Sequence, residues 1–383
     1  METCDVLIVG GGPGGSSCAW GLRRAGLDVV VMDRAAFPRD KVCAGWITPR
    51  VGTALEIDFD DYRRGRTLQP ITAFRTGLIG GRREVETAYH QPVSYGIRRC
   101  EFDWYLLQRS GARLILQNPV SSIRREGTQW VVNDSIKAAM LVGAGGHFCP
   151  VARWLNPTIE SAPLVVAQEA ELRLEPRTAS AWSAAPGIPE LYFCRDLKGY
   201  GWCFRKGDYL NVGLGRLDRR SLPGATSDFL AFLRARHKAP DDAAWRWHGH
   251  AYHVLDAVHR RVFDAGVMLV GDAAGRAYPQ SGEGIWPAIE SGLVAVSTIV
   301  EADGRYTRER IEPYEQRLAG QPGGNATQGD RLATVAPGIA AIIGRRLMNV
   351  PWFVRHVVLD RWFLRTHEGG QSPLESSVMA ASR

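Results

Sequence analysis

No run in these 383 residues reaches about eighteen consecutive apolar side chains, so a membrane-spanning helix is not expected. The first apolar run has no basic segment ahead of it and reads as a strand, which argues against a secretory signal. Cysteine is sparse: seven, at positions 4, 18, 43, 100, 149, 194 and 203, with no C-x-x-C pair. An odd number at unpaired spacings excludes a disulfide framework and suits a reducing cytoplasm. No histidine, cysteine and carboxylate cluster has metal-ligand spacing, and His250, His253 and His259 read as structural histidines. Repeats and low-complexity segments are missing. The net charge is +7, but the arginines are scattered rather than gathered in a block. A solvated basic surface accounts for that charge, and no nucleic acid partner is expected.

What is present is concentrated at the start. Val6–Val9 is a short apolar run typical of a buried parallel strand, and it leads into Gly10, Gly12 and Gly15, a G-x-G-x-x-G pattern. An amphipathic helix from Ser16 to Ala25 follows, then a turn at Gly26 and a second apolar strand, Val29–Met32, ending on Asp33. The acid stands roughly twenty residues beyond the third glycine, as a dinucleotide-binding βαβ unit requires. Glycines let the backbone approach a pyrophosphate. Pro13 lies in the same glycine turn and counts with it as cofactor-binding; the helix start offers unpaired N–H groups, and the acid accepts from ribose hydroxyls. Arg34, Arg39 and Lys41 are available as counter-charges in a long, special-residue-rich loop, a kind more often functional than decorative.

Further along, Ala139–Val142 enters a second glycine turn, Gly143-Ala-Gly-Gly146. From about 163 to 255 the pattern alternates (Leu164–Glu169, Gly201–Phe204, Leu210–Leu214), which predicts an antiparallel sheet with a hairpin turn at Lys206-Gly207-Asp208. A strand at Val267–Val270 then runs into Gly271-Asp272, and Gly282 and Gly284 precede a small-residue helix from Ile285 to about Val300. The remainder is expected to be helical, interrupted at Pro337 and Pro351.

These separated blocks resemble FAD-dependent enzymes of the p-hydroxybenzoate-hydroxylase fold. Within that superfamily, Phe37-Pro-Arg-Asp-Lys-Val-Cys-Ala-Gly45 is similar to the K-x-C-G-G loop of the geranylgeranyl reductases. Gly199-Tyr-Gly-Trp-Cys-Phe-Arg-Lys-Gly-Asp208 is similar to their P-x-Y-x-W-x-F-P-K-G segment. Three positions depart: Ala44 replaces the first glycine of the loop, Arg205 a proline, and Gly145 an Asp that in hydroxylases supports flavin and nicotinamide contacts.

The resemblance implies an α/β fold: a Rossmann-like FAD-binding domain, an inserted antiparallel β-sheet substrate domain and a helical C-terminal tail. The expected boundaries are 1–162 (with substrate-domain strands near 70–97), 163–258, 259–304 and 305–383. It also implies that Cys43, Ala44 and Gly45 lie against the flavin, that Gly271 and Asp272 meet the ribityl chain, and that Gly282, Gly284 and Ile285 face the flavin ring. The N–H groups at 284 and 285 could steady the negative charge of a reduced ring; Glu283 is expected to point away, at the surface.

Cys43 is a candidate catalytic residue, helping to protonate or position a substrate carbon. Tyr200 and Trp202 join it, because alternation puts them with Phe204 on one sheet face, expected to wall a large apolar cavity. The expected activity is hydride transfer between reduced flavin and a carbon–carbon double bond of a hydrophobic, isoprenoid-like substrate. An external electron donor, NAD(P)H or a redox protein, would be needed. A flavin-dependent monooxygenase or halogenase-like enzyme acting on an aromatic substrate is the alternative, although Trp245-Arg-Trp247 lacks the rest of the halogenase W-x-W-x-I-P motif. Residues 339–365 mix aromatic and aliphatic bulk with Arg345, Arg346, Arg355, Arg361 and Arg365. Such a basic amphipathic segment packs on the core or a partner subunit, or makes a peripheral membrane contact.

Overall fold

The computed structural model describes residues 1–158, 164–175, 183–241, 243–255, 260–320 and 337–367, with 337–341 described for the backbone alone. His259 lies outside the described residues.

The opening apolar run extends over Glu2–Val9 and takes the centre of a sheet, paired in parallel with Val29–Met32 on one side and Ile136–Gly143 on the other. Arg113–Ile115 continues the parallel set beyond Val29–Met32, and Val267–Leu269 beyond Ile136–Gly143. Strands buried on both faces read as continuous apolar runs, which is why Val6 to Val9 and Val29 to Met32 were visible by sequence. A hairpin, Ile123–Glu126 with Gln129–Val132, is added antiparallel to Ile136–Gly143.

The helices Pro13–Arg24 and Ile285–Glu301 pack on this sheet and on each other. They approach so closely that a Cβ at Gly292 would lie 2.5 Å from the carbonyl oxygen of Gly14. This crossing brings the N-terminal ends of two helices, one from each end of the chain, to the same cleft.

The second sheet has seven strands in the order His248–Tyr252, Val165–Arg173, Tyr209–Arg216, Gly199–Lys206, Glu190–Phe193, Ala73–Leu78, Glu84–Ala88. It is not wholly antiparallel: Glu190–Phe193 and Ala73–Leu78 run side by side in parallel. Two of its strands therefore come from the region before residue 97, whereas Ser94–Ile97 joins a separate small sheet with Trp46–Ile47 and Leu68–Ile71. The helix Leu222–Arg234 covers one face through Phe229 and Leu233.

The C-terminal prolines start helices rather than interrupt them. Pro337 opens Pro337–Leu347 and Pro351 opens Pro351–Phe353, which continues into a π-helical turn over Val354–Phe363. Proline's fixed φ and missing N–H suit a first helical turn, where that N–H has no partner in any case. Met348, Val354, Val358, Leu359 and Phe363 are buried in one cluster with Phe74, Trp202 and Phe204, so the tail packs on the seven-stranded sheet.

Candidate active site

Between the two sheets lies a cavity of about 1340 Å³. At one end it is bounded by the first glycine turn, where Gly10, Gly12 and Pro13 line the wall. Gly15 does not face it. It sits behind, where a Cβ would come within 1.9 Å of the Gly10 carbonyl, so its part is to let helix and strand close together. Asp33 ends the second strand with both oxygens engaged by its own loop: the Gly11 N–H donates to Oδ2 at 2.7 Å and the Ala35 N–H to Oδ1 at 2.8 Å. Each carboxylate oxygen keeps a second lone pair, and the side chain lines the cavity, available to hydroxyl donors. Arg34 stands exposed at the rim.

Arg39 is aimed at the turn, its Nη2 3.5 Å from where a Gly12 side chain would start. Its guanidinium packs over the Phe37 ring and pairs at 3.5 Å with the fully buried Asp103. Asp103 is held from its other side by two hydrogen bonds from Arg99, at 2.8 and 2.9 Å. Two arginines around one buried carboxylate leave net positive charge beside the glycine turn, as a pyrophosphate requires.

At the middle of the cavity, Asp272 follows the strand Val267–Leu269 and meets His250 Nε2 at 3.4 Å. The Lys41 ammonium lies 2.6 Å from the same nitrogen. Burial pulls the Lys41 amine down to about 8, against the pull of Asp272. Burial likewise lowers His250, with Lys41 adding to it. Asp272 stays below the usual carboxylate range: burial acts to raise it, but the His250 hydrogen bond and the Lys41 charge prevail. His250, expected to be merely structural, is thus a cavity residue that joins the Cys43 loop to the Gly271-Asp272 turn.

At the far end, Gly282, Gly284 and Ile285 line the wall where the helix Ile285–Glu301 begins. Gly284 is its N-cap and no side chain caps it. Gly271 also lines the cavity, its N–H donating to the Ser291 hydroxyl at 2.9 Å. Glu283 departs from expectation. Its side chain is only 10% exposed and is oriented to Arg50 at 4.0 Å, so the carboxylate is drawn inward by a cation rather than left at the surface.

The floor is the seven-stranded sheet, where register sets the rows. His250, Ala167, Gly215 and Tyr200 stand opposite one another across four strands, and so do His248, Glu169, Gly213 and Trp202. All but Gly213, which the Trp202 indole covers, line the cavity. The third row carries Glu171, Asn211 and Phe204, of which Phe204 is fully buried against Trp46 and does not reach the cavity. The Tyr200 hydroxyl donates to the Ser281 carbonyl, tying the floor to the loop ahead of Gly282.

The floor is also less apolar than expected. Glu169 accepts from the Cys43 backbone N–H with Oε2 and from Asn211 Nδ2 with Oε1, the latter at 2.8 Å. Burial pushes its carboxyl up to about 7, although Lys206 and the two donors oppose the shift. Glu171 goes the other way, down to about 2. Burial raises it, but Lys206 at 2.9 Å and Arg98 at 2.8 Å outweigh that effect. The buried Lys206 ammonium donates also to the carbonyls of Ala44 and Ile97, at 3.2 and 3.0 Å. Cys43 is half-buried, its Sγ accepting from the Gly45 N–H at 3.4 Å, and Arg99 faces it.

Cys43, Ala44, Gly45, Tyr200 and Trp202 therefore share one chamber with the first glycine turn and the start of the helix at Ile285. Sequence reading missed Glu169, Asn211 and Lys206. Their signal was an acid, an amide and an amine at the inward phase of three alternating strands.

An extended dinucleotide fits this chamber: one acid and two arginines at the first turn, a second acid midway, and an uncapped helix start at the far wall. Asp33, Gly10, Gly12 and Arg39 are placed to hold its adenosine and pyrophosphate. Asp272 and Gly282 to Ile285 are placed to hold its redox-active end. Among the described residues no cluster of metal-ligating side chains occurs.

Comparison with known proteins agrees. Residues 8–39 match a family of NAD(P)-binding Rossmann-like domains. The chain is 29% identical over 337 residues to a menaquinone reductase of Mycobacterium tuberculosis, covering 79% of this chain and 78% of that one. It is 24% identical over 338 residues to a digeranylgeranylglycerophospholipid reductase of Methanocaldococcus jannaschii, covering 82% of each. Among solved structures it superposes on a geranylgeranyl bacteriochlorophyll reductase-like protein of Thermoplasma acidophilum, with a TM-score of 0.76 and 20% identity over 98% of both chains. The halogenase PltM in complex with phloroglucinol and FAD gives a TM-score of 0.68 at 16% identity, over 96% of this chain and 86% of that one. These superpositions establish the fold.

Proposed function

We propose that this chain, an FAD-dependent oxidoreductase resembling the geranylgeranyl reductases, reduces a carbon–carbon double bond in a hydrophobic, isoprenoid-like substrate, with bound flavin supplying the hydride. The observation that carries the reading is the shared chamber: the Cys43 loop, the Tyr200 and Trp202 floor and the helix start at Ile285 bound one cavity. A dinucleotide held at the Gly10–Gly12 turn and at Asp272 would have its ring end against the start of that helix. The relatives named as reductases of menaquinone and of a digeranylgeranyl lipid have substrates with long isoprenoid chains, and support that substrate class here.

The residues divide the work. Asp33 and Arg39 bind the cofactor's polar half, and Asp272 orients it. Tyr200 and Trp202, with Phe193 and Phe363, present aromatic surface to an apolar chain. Cys43 presents Sγ on the cavity side, to give a proton to the double-bond carbon next to the one that takes up hydride. Electrons come from outside, from NAD(P)H or a redox protein, and Gly145 removes one contact through which hydroxylases engage nicotinamide. The exposed apolar residues Ile342, Ile343, Val350 and Trp352 stand on the segment that also lines the cavity through Gly344, Met348 and Phe353, which supports peripheral contact with a lipid surface.

The test is anaerobic single turnover. Reduced holoprotein mixed with an unsaturated isoprenoid lipid that carries no quinone ring is expected to regain the oxidised flavin spectrum and yield a product heavier by two hydrogens, with one chain double bond saturated. Reoxidation by oxygen alone, with an oxygenated or halogenated aromatic product, would replace this reading with the monooxygenase one.

A further inference from the structure

The Cys43 loop is fastened to the sheet through one carboxyl group, and the chemistry of the fastening depends on whether that group carries a proton. Glu169 stands in the cavity floor, 8% exposed, on the middle row of the sheet. Its two oxygens receive two N–H donors from different elements: the Cys43 backbone and the Asn211 side chain. Asn211 has no freedom to turn its amide over, because its Oδ1 already accepts from Trp202 Nε1 at 2.7 Å. The same Nδ2 lies 3.4 Å from the Cys43 carbonyl, so Asn211 and Glu169 together grip both backbone polar groups of Cys43.

We propose that Glu169 is a positioning residue for Cys43: as a carboxylate it clamps the Cys43 loop to the sheet, and on protonation it releases one side of the clamp.

The reason is donor counting. A carboxylate accepts from both partners, whereas a neutral carboxyl has one good acceptor oxygen and one O–H that must itself donate. Cys43 N–H and Asn211 Nδ2 are both donors, so one of them must give up Glu169 as its acceptor. Asn211 is locked by Trp202, and the Cys43 loop is the part able to move. Charged and titratable neighbours surround Glu169: Glu171 two residues along its own strand, Lys206 from the strand beyond the neighbouring one, His248 opposite it and His250 one row along, Lys41 and Cys43 from the loop, Arg98 and Arg99 from the helix start. Lys206 favours the carboxylate, while burial and Glu171 favour the neutral form, which places the change near neutrality. The significance for turnover rests on the flavin reading above; the clamp itself does not.

The experiment uses FAD-loaded protein, whose visible spectrum reports separately on whether the cofactor is held. Hydrogen exchange of the segment 39–47, expressed as protection relative to intrinsic rates, is followed from about pH 6 to 8. Protection is expected to rise about tenfold across that range in the wild type, as one charge-assisted hydrogen bond forms. In Glu169→Gln it should stay low and flat, because the amide keeps one acceptor, which stays with the locked Asn211, and turns its NH2 on the Cys43 N–H. A flat wild-type profile, or an equal rise in the variant, would overturn the proposal. If the variant does not retain flavin, infrared spectra of wild-type protein labelled at glutamate decide. Loss of a buried carboxylic-acid band in step with the gain in protection supports the clamp, and loss out of step refutes it. Protein that holds no flavin at all would sink the proposed function and leave the clamp to stand on the exchange data.

Discussion

The Trp202 indole lies across the strand next to its own in the space that a side chain at Gly213 would occupy: a Cβ there would fall 2.1 Å from the ring. Only because position 213 has no side chain can the indole N–H reach Asn211, two residues along the same strand, and fix the amide that holds the Cys43 loop. One glycine thus connects the floor of the cavity to the Cys43 loop.

Gly213→Ala is expected to be among the more damaging small substitutions in the sheet. Overpacking of this kind costs about 1–3 kcal/mol, and displacing the indole forfeits a hydrogen bond worth about 1 kcal/mol more. The neighbouring Gly215 has ordinary contacts only, the nearest at 3.6 Å, so Gly215→Ala is expected to stay within about 0.5 kcal/mol of wild type. Urea unfolding of the pair checks this. Equal midpoints for the two variants would mean that the indole does not depend on position 213.

Asp33 carries the adenosine end of the proposed cofactor site, and its two loop hydrogen bonds keep it in place without exhausting its lone pairs. Asp33→Ala removes a charged acceptor and should weaken FAD by about 1.5–3 kcal/mol, roughly tenfold to a hundredfold in Kd. Asp33→Asn retains an acceptor oxygen and should lie between. Fluorescence titration of stripped protein with FAD measures both. An unchanged Kd for the alanine variant would remove Asp33 from the site.

Lys41 makes cofactor affinity depend on pH. Its amine, brought down to about 8 by burial, is charged below that value and neutral above it. A bound pyrophosphate favours the ammonium, so binding must draw in a proton once the pH exceeds about 8. Affinity is therefore expected to fall, by up to about tenfold per pH unit, as pH rises through that region. The Lys41→Met profile should be flat there and lower at neutral pH. A wild-type Kd constant from pH 7 to about 9.5 would contradict the assignment.

How much of this was legible in the sequence depends on how local the signal is. The first βαβ unit was readable because glycine spacing, helix and acid all fall within forty residues, and a doubly buried strand announces itself by composition. Alternation marks Leu164–Glu169, Gly201–Phe204 and Leu210–Leu214, which overlap the longer strands Val165–Arg173, Gly199–Lys206 and Tyr209–Arg216, but the rows they form depend on register, which no single strand states. Hence Tyr200 and Trp202 were found and Glu169 and Asn211 were not, and Phe204 was given to the cavity although Trp46 covers it. His250 was set aside because its partners, Lys41 and Asp272, lie far from it in sequence. Glu190–Phe193 was missed since it is short, wholly buried and without alternation.

The C-terminal segment has two faces with different chemistry, and that leads to a prediction about substrate delivery. Met348, Val354, Val358 and Phe363 point into the core, while Ile342, Ile343, Val350 and Trp352 are 48%, 49%, 42% and 66% exposed. Arginines at 345, 346, 355 and 361 flank these apolar side chains. No helix among the described residues is long and apolar enough to cross a membrane, so any lipid contact must be interfacial. Apolar insertion combined with basic charge predicts binding to vesicles rich in phosphatidylglycerol, weakened by salt because each nearby arginine contributes about 1 kcal/mol of screened attraction. Trp352→Ser with Ile343→Ser should cut flotation with such vesicles about tenfold or more while leaving thermal stability unchanged, since both side chains already face solvent. The double variant should also show a higher KM for a substrate embedded in vesicles and an unaltered KM for the same substrate dispersed in detergent. A loss that is equal in both formats would place these residues in the substrate channel itself, and flotation unaffected by the substitutions would leave the segment with a packing role alone.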